Sequence, residues 1–366
     1  MTRTPRTSLQ SQATSRATRK PEVKEEKTFD PADFVSSGST LLNLALTDNP
    51  DCGWQLGKMA NIIGDSGAGK TLLVLTSLAE AANTPDHSNT DLVYDDAENA
   101  LEFDLSKVFG SKTEEQVELV DPPSNTIEEF SDNLSKIIKR KKPFVYVLDS
   151  FDSIGTESDT EHIESERKIR LGESNKKSSG NYGMAKPKLA SQMLREDCGN
   201  LKRTKGALLI ISQTRDNLTP GSFEKKTRSG GKALKFYATH EVWIILAGAI
   251  NSSSKRRIGS ECTIKVTKNK VTGKRRSIAL NIYDGYGIDD IGSMIDFMLD
   301  EKEWSGGGAS KIDTKGNLGL KESVTRAKLV EYIEDNNKES ALRKVVADVW
   351  HDIEEALKPK RKHKYE

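Results

Sequence analysis

The chain has 366 residues, 35% hydrophobic, 30% charged and only 6% aromatic. That length accommodates two domains, or one large domain with solvated appendages, and excludes a small disulfide-stapled scaffold. Lys and Arg total 56 against 55 Asp and Glu, a formal charge of +1, so any basic surface must be local, and no apolar window long enough to span a membrane occurs.

Residues 1–34 read as a flexible N-terminal arm. They are mostly Thr, Ser, Arg, Lys and Glu, with too few large apolar side chains before Phe29 to repay the entropy of ordering. The opening Met-Thr-Arg-Thr-Pro-Arg lacks the apolar stretch of a secretory signal, and Cys52, Cys198 and Cys262 are too widely spaced for a disulfide framework, so a cytoplasmic setting is expected. With 5 His and no Cys-x-x-Cys pair, a zinc site is not expected. Arg3, Arg6, Arg16, Arg19 and Lys20 make the first part of the arm basic, either to touch phosphates or simply as a solvated tail.

From Ser36 onward short apolar runs alternate with helical patterns. Residues 59–63, 92–94, 144–148, 207–211 and 242–246 read as fully buried strands, with helices over 71–82, 126–139 and 188–202. That alternation predicts an α/β core over 35–290, a mainly parallel sheet flanked by helices. Two stretches interrupt it, 157–188 and 214–231, and loops of that length in a compact domain are usually functional or disordered. Residues 291–366 turn helical, a small C-terminal domain in which Gly306-Gly307-Gly308 reads as a linker. Leu329, Ile333, Val345, Val349, Ile353 and Leu357 fall at helical spacing there, and the chain ends in Lys358, Lys360, Arg361, Lys362 and Lys364.

The strongest chemical signal is Gly64-Asp65-Ser66-Gly67-Ala68-Gly69-Lys70-Thr71, a G-x-x-x-x-G-K-[ST] phosphate loop between a strand and a helix. Its glycines let successive N–H groups and the helix N-terminus face an anion, Lys70 neutralises β/γ-phosphate charge, and the Thr71 hydroxyl can ligate Mg²⁺. ATP and Mg²⁺ are therefore the expected cofactors. The run 144–148 ends in Asp149, suited to hold Mg²⁺ through water. Between them, Asp95-Asp96-Ala97-Glu98 ends another strand, with Glu98 the candidate to position the attacking water or else part of a solvated acidic turn. The strand over 208–212 ends at Gln213, a neutral amide able to sense the γ-phosphate and inform the loop that follows.

That loop carries Arg215, Lys225, Lys226 and Arg228 around Phe223, closed by Gly230 and Gly231. Cations with an aromatic to slip between bases suit a single-stranded nucleic acid; a solvated lid over the nucleotide is the alternative. Lys255-Arg256-Arg257 and Lys274-Arg275-Arg276 flank a predicted hairpin, either guiding duplex DNA or forming ordinary solvated turns.

Taken together these runs resemble the RecA-type recombinases over about residues 36 to 300. Ser37 to Leu46, the phosphate loop, Asp96-Ala97-Glu98, Val147-Leu148-Asp149-Ser150, Ser212-Gln213-Thr214-Arg215, the run Ser229 to Ala238 and Lys265-Val266-Thr267-Lys268-Asn269-Lys270 follow the order found there. The earlier runs also occur in ring helicases, whereas Gly230 to Ala238 and the Lys-Asn-Lys run are particular to recombinases. The resemblance implies a RecA-like P-loop ATPase core and a DNA-dependent ATPase that forms filaments on single-stranded DNA and exchanges strands with homologous duplex DNA. It implies a catalytic Glu98, a γ-phosphate-sensing Gln213, and Lys268 and Lys270 reaching a neighbour's ATP, with Lys235 and Phe236 at the subunit interface. Segments 157–188 and 214–231 fall where the family has its DNA loops. Phe29-Asp30-Pro31-Ala32 resembles the family's Phe-x-x-Ala plug; the other reading is that Phe29 and Phe34 staple the arm onto its own core. Leu105 stands where bacterial members stack a tyrosine on adenine, leaving Glu102 to accept from the adenine amino group. The basic end and Ser-rich arm look more like bacteriophage recombinases of the UvsX kind, and loader and single-strand-binding proteins are further partners to expect. The rival readings are a RecA-fold ring helicase and a non-enzymatic nucleotide-regulated scaffold.

Overall fold

Four apolar runs, 59–63, 92–94, 144–148 and 207–211, are buried throughout, and so short a fully buried run has one stable use, the middle of a sheet covered on both faces. The fifth, 242–246, is not fully buried, for Ile245 and Leu246 are 40% and 46% exposed where the sheet turns antiparallel. The computed structural model describes residues 30–101, 104–171, 185–216, 226–228, 231–308 and 310–361. Met1–Asp30 separates from Pro31–Glu366 as a unit, and the elements all belong to the second. There, β1 (Phe34–Val35) pairs with β2 (Trp54–Gln55), and α1 (Thr40–Thr47), capped by the Ser39 side chain, is buried along its whole length.

Next come β3 (Met59–Gly64), β4 (Asp91–Asp95), β5 (Val117–Leu119), β6 (Phe144–Leu148) and β7 (Gly206–Asp216), all parallel, in the spatial order β3-β7-β6-β4-β5. Their crossovers carry α2 (Lys70–Asn83), α3 (Leu105–Phe109), α4 (Ser111–Gln116), α5 (Ile127–Lys139), α6 (Glu157–Arg170) and α7 (Ala185–Thr204). Strand β6 shows why the sheet needs two covers. Val145 and Val147 enter one apolar cluster, while Phe144, Tyr146 and Leu148 enter the other, as the period of two requires.

The short β8 (Lys226–Arg228) pairs back onto β7 and leads into α8 (Gly231–Tyr237). Strand β9 (His240–Asn251) lies parallel to β3; β10 (Arg257–Asn269), β11 (Arg276–Tyr283) and β12 (Gly287–Ile288) then extend the sheet antiparallel, so that its full order is β12-β11-β10-β9-β3-β7-β6-β4-β5. The sheet is therefore mainly parallel with an antiparallel flank. Helices α9 (Asp290–Asp300), α10 (Arg326–Asp335) and α11 (Glu339–Ala356) follow, with β13 (Ser305–Gly307) and β14 (Ser310–Asp313) between the first two. Among the described residues no helix is long and apolar enough to cross a membrane.

Two further expectations change. Residues 157–170, read as loop, form α6: Thr156 caps its first turn, but the helix buries no residue and so leaves no apolar periodicity to detect. The Gly306-Gly307-Gly308 stretch belongs to the β13–β14 hairpin, its glycines at φ of 97°, 95° and 60°. The residues at helical spacing from Leu329 to Leu357 fall, as expected, in helical structure, on two helices divided at Asn336 and Asn337. Met294, Leu329, Ile333, Leu342 and Trp350 of the C-terminal helices share one apolar cluster with Leu280 and Ile282 of the sheet.

Candidate functional site

The phosphate loop is built by close approach. A Cβ on Gly64 would stand 2.7 Å from the Ile244 carbonyl oxygen, and one on Gly69 2.6 Å from Ile282 Cδ1, where φ is also +87°. Glycine at both lets the loop lie flat on β9 and β11. Gly69 caps α2 with no side-chain bond, so the first N–H groups of that helix remain for an anion. Lys70 is buried, its Nζ donating to the Asp65 carbonyl at 2.7 Å. Burial lowers its pKa, opposed mainly by the Asp149 carboxylate.

Around that lysine the strand ends converge. Thr71 Oγ1 donates to Asp149 Oδ2 at 2.6 Å and the Tyr94 hydroxyl donates to the same oxygen at 2.9 Å. Burial raises the Asp149 pKa although both hydroxyls stabilise its charged form. A hydroxyl beside one carboxylate is a hard-oxygen pair that fits Mg²⁺, which takes few protein ligands and completes its shell with water and phosphate. The Glu98 N–H donates to the Asp149 carbonyl at 3.1 Å, and its Oε1 accepts from Ser150 Oγ and, at 3.0 Å, from Gln213 Nε2. Lys70, Thr71, Glu98, Asp149 and Gln213, with Ser66, Gly67, Ala68 and Gly69, line one cavity of about 470 Å³. Residues following the ends of β3, β4 and β6, with Gln213 of β7, which runs on to Asp216 rather than ending there as expected, thus meet at one point, the arrangement that phosphoryl transfer to water requires.

Asp65 faces the other way. Its carboxylate accepts from Thr214 Oγ1 and from Lys226 Nζ, contacts that lower its pKa, Lys226 first. Thr214 and Lys226 belong to the β7–β8 stem, in which Thr214 pairs with Arg228 and Asp216 with Lys226. One residue of the phosphate loop therefore holds both strands at the base of the second expected DNA loop. Arg215 is 71% exposed, with Asp152 at 3.6 Å. Arg228 is not: its side chain is 10% exposed and paired with the buried Glu241. Burial would raise the Glu241 pKa, but Arg228, Trp243 and Thr267 together hold it low. Gly231 opens α8 at φ +68°. Phe29, Glu102, Phe223, Lys225 and Gly230 lie outside the described residues.

Lys235 and Phe236 stand exposed on α8, Phe236 at 70%. Lys268 Nζ donates to the Lys235 and Phe236 carbonyls, the latter at 3.0 Å, and Lys270 Nζ to Phe236 at 3.3 Å. Two cations thus sit on the carboxyl end of α8, where the helix dipole favours them. Burial, then the neighbouring Lys270, push the Lys268 pKa down to about 8. Neither lysine lines the cavity beside its own Lys70.

The opposite wall of the cavity holds Val108, Ser260, Ile282, Tyr283 and Asp284, which the sequence did not single out, and Arg257, which in sequence reads as a guide for duplex DNA or a solvated turn. The aromatic lining this wall is Tyr283, whereas Leu105 is buried in the core. Asp284-Gly285-Tyr286-Gly287 signals a turn, but only the antiparallel pairing of β9, β10 and β11 carries it to the phosphate loop, a long-range relation without a local signature. The RecA N-terminal domain family model matches residues 22–289. Protein RecA of Laribacter hongkongensis (strain HLHK9) is 31% identical over 280 residues, covering 76% of this chain and 72% of that protein.

Proposed function

This chain belongs to the RecA family of ATP-dependent DNA recombinases, and from that premise we propose how its own residues carry out the reaction. It is a DNA-dependent ATPase of recombination and repair that binds DNA and assembles into filaments; the ring-helicase alternative is not favoured. Lys70 and the N–H groups around it bind the β- and γ-phosphates, and Thr71 and Asp149 hold Mg²⁺, which when bound offsets phosphate charge. Glu98 orients the attacking water and takes its proton. Gln213 stands one residue before the β7–β8 stem, so its hydrogen bonds change partner when the γ-phosphate leaves and the stem feels the change.

Arg215, Phe223, Lys225, Lys226, Gly230 and Gly231 contact single-stranded DNA, with Arg228 joining only if it leaves Glu241. Homologous duplex DNA is then tested against the bound strand. Lys268 and Lys270 act on the ATP of the neighbouring subunit, with Lys235, Phe236 and the Phe29 plug at the interface. Loader and single-strand-binding proteins complete the partners, and the basic run over 358–364 supports a recombinase of the bacteriophage kind.

The observation that carries this reading is the convergence of Glu98 and Gln213 on one hydrogen bond beside Lys70 and Asp149. Negative-stain imaging with single-stranded DNA tests it. Filaments should form with a non-hydrolysable ATP analogue and not without nucleotide. Lys70→Ala should form none and hydrolyse no ATP, while Glu98→Gln should keep persistent filaments as turnover falls about 100-fold or more. Closed rings, or wild-type turnover in Lys70→Ala, would overturn it.

A further inference from the structure

The cavity beside the phosphate loop contains a second cation besides Lys70. Arg257 begins β10 and lines the wall opposite Glu98. Its Nη2 donates to Ser260 Oγ at 2.6 Å and its Nε to the Gly259 carbonyl at 3.3 Å. Ser260 is itself buried and lines the same cavity. Among the described residues no carboxylate pairs with Arg257 and its Nη1 makes no hydrogen bond. A guanidinium braced by a hydroxyl and a carbonyl, with donors to spare, is arranged to receive an anion rather than to hold the fold together.

The strand register says where that anion lies. Ser260 is the cross-strand partner of Ile282, and Ile282 Cδ1 packs against Gly69 of the phosphate loop. Two residues further along the same face of β10, Cys262 Sγ contacts the Ala68 carbonyl at 3.7 Å. Arg257 is thus carried to the flank of the phosphate loop on the side of Tyr283 and Asp284, away from Glu98 and Gln213. We propose that Arg257 is a nucleotide-binding residue acting within its own subunit, a guanidinium clamp on the phosphate chain near the nucleoside. The inference rests on the reading of this cavity as the ATP site. It adds a positive contact common to diphosphate and triphosphate, as distinct from the γ-phosphate contacts that change on hydrolysis.

Calorimetric titration of the full chain without DNA tests this with three probes: ADP, a non-hydrolysable ATP analogue and adenosine. Arg257→Ala should weaken ADP and the analogue alike by about tenfold, the size of one hydrogen bond to a charged group, and leave adenosine unchanged. Arg257→Lys should recover part of the loss, because charge survives while the fork geometry does not. Unchanged affinity for ADP in a folded Arg257→Ala protein overturns the proposal, and so does an equal loss for adenosine, which would assign Arg257 to the base or to the shape of the wall. Lys70→Ala serves as the control on the premise. If it loses both nucleotides while Arg257→Ala loses neither, the ATP site stands and the clamp alone falls; if Lys70→Ala binds both normally, the site itself has been misassigned.

Discussion

Arg228 and Lys226 are two residues apart on β8, both cationic and both expected on the DNA surface, yet their surroundings set them different tasks. Lys226 is half exposed and held by an exposed carboxylate, so exchanging Asp65 for a phosphate costs little. Removing it should flatten the dependence of single-stranded DNA affinity on salt by about 0.7 in the log-log slope. Arg228 neutralises a Glu241 that is 4% exposed. Arg228→Ala leaves that carboxylate buried and unpaired, a loss of about 3 kcal/mol. It should therefore lower the denaturant midpoint while leaving the salt slope within error. Urea unfolding and binding titrations at several salt concentrations measure both; a flattened slope at unchanged stability would mean that Arg228 leaves Glu241 to meet DNA.

Helix α8 links the interface residues to the lysine pair, because Lys268 and Lys270 cap the turn that carries Lys235 and Phe236. If the lysines serve a neighbour's ATP, they must exchange those carbonyls for phosphate, and assembly and catalysis become one event. The test is mixing. Glu98→Gln subunits and Lys268→Ala/Lys270→Ala subunits, each inactive alone, should partly restore DNA-stimulated hydrolysis when combined, since some interfaces then pair an intact Glu98 with intact lysines. Failure at every ratio, although both co-assemble on DNA, would show that the lysines do not act across the interface. The same elements show what a sequence discloses. Strands β3, β4 and β6 lie within a residue or so of their apolar runs because burial on both faces is written into consecutive residues. The phosphate loop, Glu98 and Asp149 could be read because each follows a strand end; Gln213 reads as a strand end too, but β7 runs on to Asp216, and Gln213 marks only where its apolar run stops. Tyr283 could not, and Arg257 reads in sequence only as a duplex guide or solvated turn, since β10 and β11 alternate like any half-exposed hairpin and reach the site only through register. Helix α6 stayed hidden because it buries no residue.

At the scale of the whole molecule, the expected boundary at residue 290 falls on the first residue of α9, whose Met294, Ile295 and Met298 lie in the core shared with the sheet. Stability should accordingly report on the entire unit. His240, fully buried at the start of β9, has its pKa pushed down to about 4 by burial, with Asn269 opposing. The folded state keeps it neutral while the unfolded chain protonates near 6.5. Its contribution is therefore complete above about pH 6.5 and is lost as pH falls towards 4. Urea unfolding between pH 7 and 4 should show that decline, and His240→Gln should flatten it by about one proton; an unaltered slope would assign the acid sensitivity elsewhere. The strand order has one more effect. The sheet ends on β12, two residues long, and β5, three residues long. Strand β12 pairs only with Ile282 and Tyr283 of β11, so residues 276–281 of that strand have no strand partner on their outer side, the kind of edge that can template pairing with another chain. A protein that polymerises holds many copies of that edge close together, and a substitution that extended either edge strand with apolar residues should lower solubility before it touched catalysis.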